Sequence, residues 1–234
     1  MIETEDTEKR VRQKEFSVRY IDRPVDFLIR HNISPNQISF IGFFCSLLAA
    51  FLIGIGWIYY SMWVAWFVPF LIGLGGAFDL FDGEVARRTD KESKAGAFLD
   101  SNLDRLSDAL FIIGLIYGGL VTFFLGYVLL FLVIMISYTR SRAENEGVKM
   151  KGVGYMERAE RVVFLLFATL IEMWFYFISG FFLGEPIIIF VPFITQIPVT
   201  PVFLIAIIAY VLLLIYTIAQ RFVFTFKSLN RESN

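Results

Sequence analysis

The chain has 234 residues, 57% of them hydrophobic and 18% aromatic, with a mean hydropathy of +0.65. That composition excludes an ordinary soluble domain and indicates a polytopic membrane protein. The net charge of −1 by itself says nothing about partners; no nucleic-acid partner is expected, and the one cysteine, Cys45, lying in an apolar run, excludes a disulfide framework.

The first residues are polar and lack an apolar h-region, so no cleavable signal peptide is expected. Residues 1–34 read as a cytoplasmic arm. Within it Phe16, Ile21, Val25, Phe27, Leu28 and Ile29 interleave with Arg19, Arg23 and Arg30, and Pro24 falls near the start or middle of the run. The pattern fits an amphipathic helix lying in the membrane interface rather than a solvated basic arm, because these apolar residues have no other partner nearby in sequence. Ser34-Pro35-Asn36 then caps the first span, with proline at a first-turn position.

Residues 35–234 are expected to form one all-α domain of six transmembrane helices, over about 37–58, 63–86, 95–118, 121–143, 159–179 and 200–222. The turns after the first, third and fifth spans contain no Lys or Arg. All 21 basic residues lie elsewhere: between Lys9 and Arg30, between Arg87 and Arg105, between Arg140 and Arg161, and at Arg221, Lys227 and Arg231. The positive-inside rule then places both termini on the cytoplasmic side of a cell membrane. Trp57, Tyr59, Tyr60, Trp63 and Trp66 at the first outer turn read as an interfacial aromatic belt.

The second and third spans meet at DLFDGEVAR, eight further residues, and GAFLDSNLD. Asp79 and Asp82 are three apart, and Asp100 and Asp104 are four apart, so each pair stacks on one helix face. Two helices joined by a short turn would point all four carboxylates into one pocket. Such a cluster needs compensation beside lipid. An oxygen-only ligand set selects a hard divalent cation, Mg²⁺ or Mn²⁺, and the chain has a single His, His31, to offer instead. Gly83 lies one turn from Asp79, Ala86 one turn from Asp82, and Gly96 one turn before Asp100, leaving a face without bulk. Such a face suits a flat ligand against the backbone, although small residues on spans also serve helix packing.

This run resembles the signature of the CDP-alcohol phosphotransferase family, D-x2-D-G-x2-A-R-x8-G-x3-D-x3-D, with no departure from Asp79 to Asp104. The resemblance implies an integral membrane enzyme that displaces CMP from a CDP-linked lipid with a small alcohol acceptor. It implies two divalent ions held by Asp79, Asp82, Asp100 and Asp104, with Asp104 as general base. Geometry read from the sequence does not separate base from ligand at Asp104. The resemblance also implies a nucleotide site at Asp79, Gly83, Ala86, Arg87 and Gly96. Asn36 joins that site because the SPN triplet is similar to the family as well. Arg87 would donate to a phosphate oxygen or orient a metal-bound aspartate. A homodimer is implied too, with Gly114, Gly118 and Gly119 as a small-residue contact face.

A second constellation lies outside the signature: Arg140, Arg142, Lys149, Lys151, Arg158 and Arg161 around one loop. Arg158 and Arg161 share a helix face, and Arg140, Arg158 and Arg161 would suit a phosphate on the acceptor. The alternative is that these charges only orient the chain and meet anionic headgroups. The RSRAE and MERAER strings resemble the branch of the family that makes inositol-phosphate lipids, which implies inositol phosphate as acceptor. Glycerol phosphate, serine or another polyol stay open. Membrane prenyltransferases also pair Asp motifs with Mg²⁺, but without the G-x2-A-R insertion, and a cation transporter would place its carboxylates near the midplane, often with repeat symmetry. Glu172, in the middle of the fifth span, is an intramembrane carboxylate that is left outside the site.

Overall fold

The structure is a computed structural model and describes residues 21–232. Phe16 and Arg19 lie outside the described residues. Within the described residues there are eight α-helices: α1 over 21–30, α2 Pro35–Gly54, α3 Met62–Ala65, α4 Phe67–Arg88, α5 Lys94–Tyr117, α6 Phe123–Asn145, α7 Arg158–Leu183 and α8 Pro201–Glu232. Local chemistry sets the boundaries. Ser34 and Gln37 form a reciprocal capping box with Pro35 at the first turn, and Ser93 and Thr122 accept from Gly96 and Leu125 at the starts of α5 and α6. Gly184, at φ 86°, ends α7 in the left-handed conformation that glycine adopts without a Cβ penalty.

Five helical segments are long and apolar enough to cross a membrane: α2, α3–α4 together, α6, α7 and α8. α5 has comparable length but carries Asp100, Asp104, Arg105 and Asp108 in its first part. The helices close into a ring in the order α2, α4, α7, α8, α6, α5, with α5 returning to α2. One apolar core fills this ring, built on Phe111, Leu115, Leu129, Ile136, Phe203 and Leu214 among others.

Three expectations are corrected. Gly114 and Gly118 do not form a contact face for a second chain. A Cβ at either would collide with the carbonyl oxygens of Ala50 and Ile53, so both glycines let α5 lie directly on α2. Gly119 makes the following turn at φ 76°, against Ile197. The apolar face of α1 does have partners inside the protein: Val25 and Leu28 are buried with Ile38 and Val85 of α2 and α4. Arg88 ties the same helix down, pairing with Asp22, Asp26 and Glu84. Finally, Tyr59 leaves the aromatic belt, since its hydroxyl donates to Glu172 Oε1 at 2.6 Å. Trp63 and Tyr60 remain exposed.

Candidate active site

The last turns of α4 and the first turns of α5 face each other across the short connection at 89–93. This brings ligand oxygens of Asp79, Asp82 and Asp100 within 4.8 Å of one another. Ser39 on α2 donates to Asp82 Oδ2 at 2.5 Å and fixes its orientation. Among the described residues no Lys or Arg pairs with Asp82 or Asp100. Three converging carboxylates, one of them buried, hold their charge only if a cation or protons compensate. All donors are oxygen, so the site fits a hard divalent cation.

Asp104 is one turn deeper on α5 and stands slightly apart from that trio. Its Oδ1 lies 2.9 Å from Arg158 Nη1 as an ion pair, and the same nitrogen pairs with Asp79. The four signature aspartates therefore assemble, with an arginine from α7 inserted among them.

Two cavities open on either side of this cluster. The first, of about 510 Å³, is lined by Asn36, Gly83, Ala86, Arg87 and Gly96, together with Ser39, Asp82 and Asp100. Five of the six expected nucleotide-site residues border it. The sixth, Asp79, lies off this cavity in a narrow crevice shared with Asp82, Asp100 and Asp104. Arg87 is bound by Glu84, with Nη2 to Oε2 at 2.8 Å, and pairs with no signature aspartate.

The second cavity, of about 430 Å³, is lined by Arg140, Arg158, Arg161 and Arg221, with Asp104, Asp108 and Glu144 among the acids. Asp100 borders both cavities. Arg140 reaches Glu144 at 3.0 Å and stays partly exposed. Arg161 is buried and pairs with Asp108 at 2.6 Å. Lys149 and Lys151 do not line the cavity. Sequence reasoning missed Ser39, Asp108 and Arg221. Asp108 continues the four-residue rhythm of Asp100 and Asp104, and Arg221 is a cation next to a long apolar run, so both carried a readable signal. Ser39 carried none. Arg221 is buried, its Nε donating to the Val153 carbonyl at 3.0 Å and its Nη1 to that of Ile136, which stitches α8 to the loop before α7 and to α6.

Glu172 stands away from all of this. It lies fourteen residues beyond Arg158 on α7, about 21 Å along the helix. Fully buried, it accepts from Tyr59, from the Thr200 N–H at 3.2 Å and from the Thr200 hydroxyl. It joins the turn between α2 and α3, α7 and the start of α8.

The family model for CDP-alcohol phosphatidyltransferases matches residues 32–226. An archaetidylinositol phosphate synthase from Pyrococcus horikoshii is 38% identical over 138 residues, covering 59% of this chain and 70% of that protein. The structure of the phosphatidylinositol phosphate synthase of Mycobacterium tuberculosis with CDP-DAG bound is similar at a TM-score of 0.63 and 22% identity, over 88% of this chain and 94% of that one. The same protein in complex with manganese and citrate gives 0.64 at 22% identity, over 88% of both chains. At that identity the likeness is one of fold.

Proposed function

We propose that this chain, which belongs to the CDP-alcohol phosphatidyltransferase family, transfers the substituted phosphate of a CDP-linked lipid to inositol phosphate and releases CMP. The observation that carries this reading is the junction of two unlike cavities at one acidic cluster. One is walled by small residues and Asn36; the other is rich in arginine; Asp100 borders both. A diphosphate spanning the cluster would have its cytidine in the first cavity and an anionic acceptor arriving from the second. The acceptor assignment gains further support from the archaetidylinositol phosphate synthase relative.

In this reading Asp79, Asp82, Asp100 and Asp104 would hold divalent cations, Mg²⁺ or Mn²⁺. When bound, these neutralise the diphosphate and the departing phosphate of CMP. Gly83, Ala86 and Gly96 leave space for the nucleotide, and Arg87 offers a donor to a phosphate oxygen. Ser39 keeps the Asp82 carboxylate turned into the site. Asp104 accepts the proton of the attacking hydroxyl as its oxygen bonds to phosphorus and the bond to CMP breaks. Arg140, Arg158, Arg161 and Arg221 receive the acceptor phosphate.

The placement in the membrane belongs to the same proposal. α5 acts as a sixth span, closing the ring of helices, and the gathering of basic residues at the motif end supports a cytoplasmic site and cytoplasmic termini. α1 lies along the interface with Phe27 outward. The lipid substrate is CDP-diacylglycerol or CDP-archaeol.

The test is CMP release by the purified protein with each CDP-lipid and a panel of acceptors. Turnover with inositol phosphate, and little with free inositol, serine or glycerol phosphate, is expected. Turnover with serine or glycerol phosphate and none with inositol phosphate would replace the acceptor and keep the transferase.

A further inference from the structure

Asp108 lies outside the signature, yet it holds one of the cations of the acceptor cavity. Arg161 places Nη2 2.6 Å from Asp108 Oδ2 and Nη1 3.1 Å from the Met156 carbonyl. Both charged side chains are 4% exposed, and the Arg161 Nε is buried with no partner among the described residues. A guanidinium carries five N–H donors, so most of this group is uncommitted although it borders the cavity. The pair joins α5 to α7, which are not neighbours in the ring, and so crosses the interior. A buried ion pair is a poor way to fasten helices, since apolar residues of the same volume do as well or better. What it does supply is one fixed direction for a cation that solvent would otherwise leave mobile.

We propose that Asp108 is a positioning residue that sets acceptor selectivity: its carboxylate holds the Arg161 guanidinium at the cavity wall, where Arg161 meets the phosphate of the acceptor. This inference rests on the phosphorylated acceptor proposed above. Arg161 buried without a counter-charge would be expelled or would rearrange, and the cavity would lose an anchored cation rather than its catalytic carboxylates.

The experiment measures kcat, the KM for inositol phosphate and the KM for CDP-lipid, with thermal unfolding in parallel. Asp108→Asn keeps an acceptor oxygen near Arg161 and removes the charge. It is expected to raise the acceptor KM about tenfold, the scale of one charge-assisted hydrogen bond, with the CDP-lipid KM within about twofold of wild type. Asp108→Glu restores the charge and is expected to recover most of the loss. An unchanged acceptor KM in folded Asp108→Asn overturns the inference, and Arg161→Gln still raising that KM would show the acceptor reading intact. If Asp108→Asn does not fold, Asp108→Asn/Arg161→Gln, which removes both charges, is compared with Arg161→Gln alone. Equal acceptor KM values support action through Arg161, and a further multiplication of KM in the double variant overturns it. Wild-type turnover confined to acceptors without phosphate overturns both readings.

Discussion

Arg158 Nη1 lies 2.9 Å from Oδ1 of Asp104, so a cation from the start of α7 touches the carboxylate proposed as general base. The same nitrogen pairs with Asp79, and Arg158 also borders the arginine-rich cavity. In the proposed mechanism the guanidinium would compete with a divalent ion for two carboxylates and, once off them, would be free for the acceptor phosphate. Arg158→Gln is expected to raise the KM for inositol phosphate about tenfold. It is also expected to lower the Mg²⁺ concentration for half-maximal activity, by about threefold to fivefold for an ion pair of roughly 1 kcal/mol. Metal titrations and acceptor titrations of CMP release check the two halves separately. A higher Mg²⁺ requirement in the variant would contradict the competition.

Asp79→Asn, Asp82→Asn and Asp100→Asn each remove one charged oxygen from a set within 4.8 Å while preserving side-chain volume. Each is expected to abolish turnover with little change in thermal stability, because a hard-cation site depends on ligand charge. Excess EDTA is expected to do the same to the wild type, and Mg²⁺ or Mn²⁺ to restore it. Full CMP release in EDTA would refute the metal reading.

The carboxylate cluster and the smooth face of small residues beside it were legible because both depend on spacing along two helices whose ends a short turn brings face to face across α2. Gly83, Ala86, Arg87 and Gly96 border one cavity for that reason, and Asn36 joins them from the start of α2. Arg158 and Arg161 were legible only as charge at the entrance of a span. Their pairing with Asp104 and Asp108 depends on how α7 and α5 face each other across the ring, which no local pattern encodes. Gly114 and Gly118 went wrong for a related reason. A small-residue stripe shows that a backbone comes close, and only the ring order shows that the backbone is α2 of the same chain. The protein partners of α1 were not legible because its apolar spacing is the same whether lipid or the Ile38–Val85 cluster receives it.

Ser39→Ala removes the hydroxyl that donates to Asp82 at 2.5 Å without touching a proposed ligand atom. Hydrogen bonds that orient metal ligands are worth roughly 10–100-fold in metal affinity or activity. The variant is expected to need about tenfold more Mg²⁺ for half-maximal rate, with recovery near saturating metal. Calorimetric Mn²⁺ titration gives the same comparison without turnover. Equal affinities for variant and wild type would remove Ser39 from the site.

Glu172→Ala leaves the Tyr59 hydroxyl and the Thr200 N–H and hydroxyl without their acceptor in a fully buried setting. The cost is expected to be about 2–4 kcal/mol, which for a chain of this size lowers Tm by roughly 5–10 °C. The KM values are expected to stay at wild type, since Glu172 lies about 21 Å along α7 from Arg158. Detergent thermal shift and CMP release check the two parts. A large change in either KM with unchanged Tm would give this carboxylate a functional role instead.

Gly83→Ala separates a ligand-facing surface from a packing surface. A methyl group at Gly83 would meet nothing nearer than the Arg87 Nη1 at 3.5 Å, an ordinary contact with the end of a flexible side chain. The protein alone therefore has no reason to object, and helix propensity even favours alanine by about 1 kcal/mol. If the cytidine lies against this face, the added methyl occupies its space, and overpacking costs about 1–3 kcal/mol. The expected result is unchanged or raised Tm together with a CDP-lipid KM increased about tenfold and an acceptor KM close to wild type. Wild-type kinetics for Gly83→Ala would place the nucleotide elsewhere and leave Gly83 as a helix-packing residue.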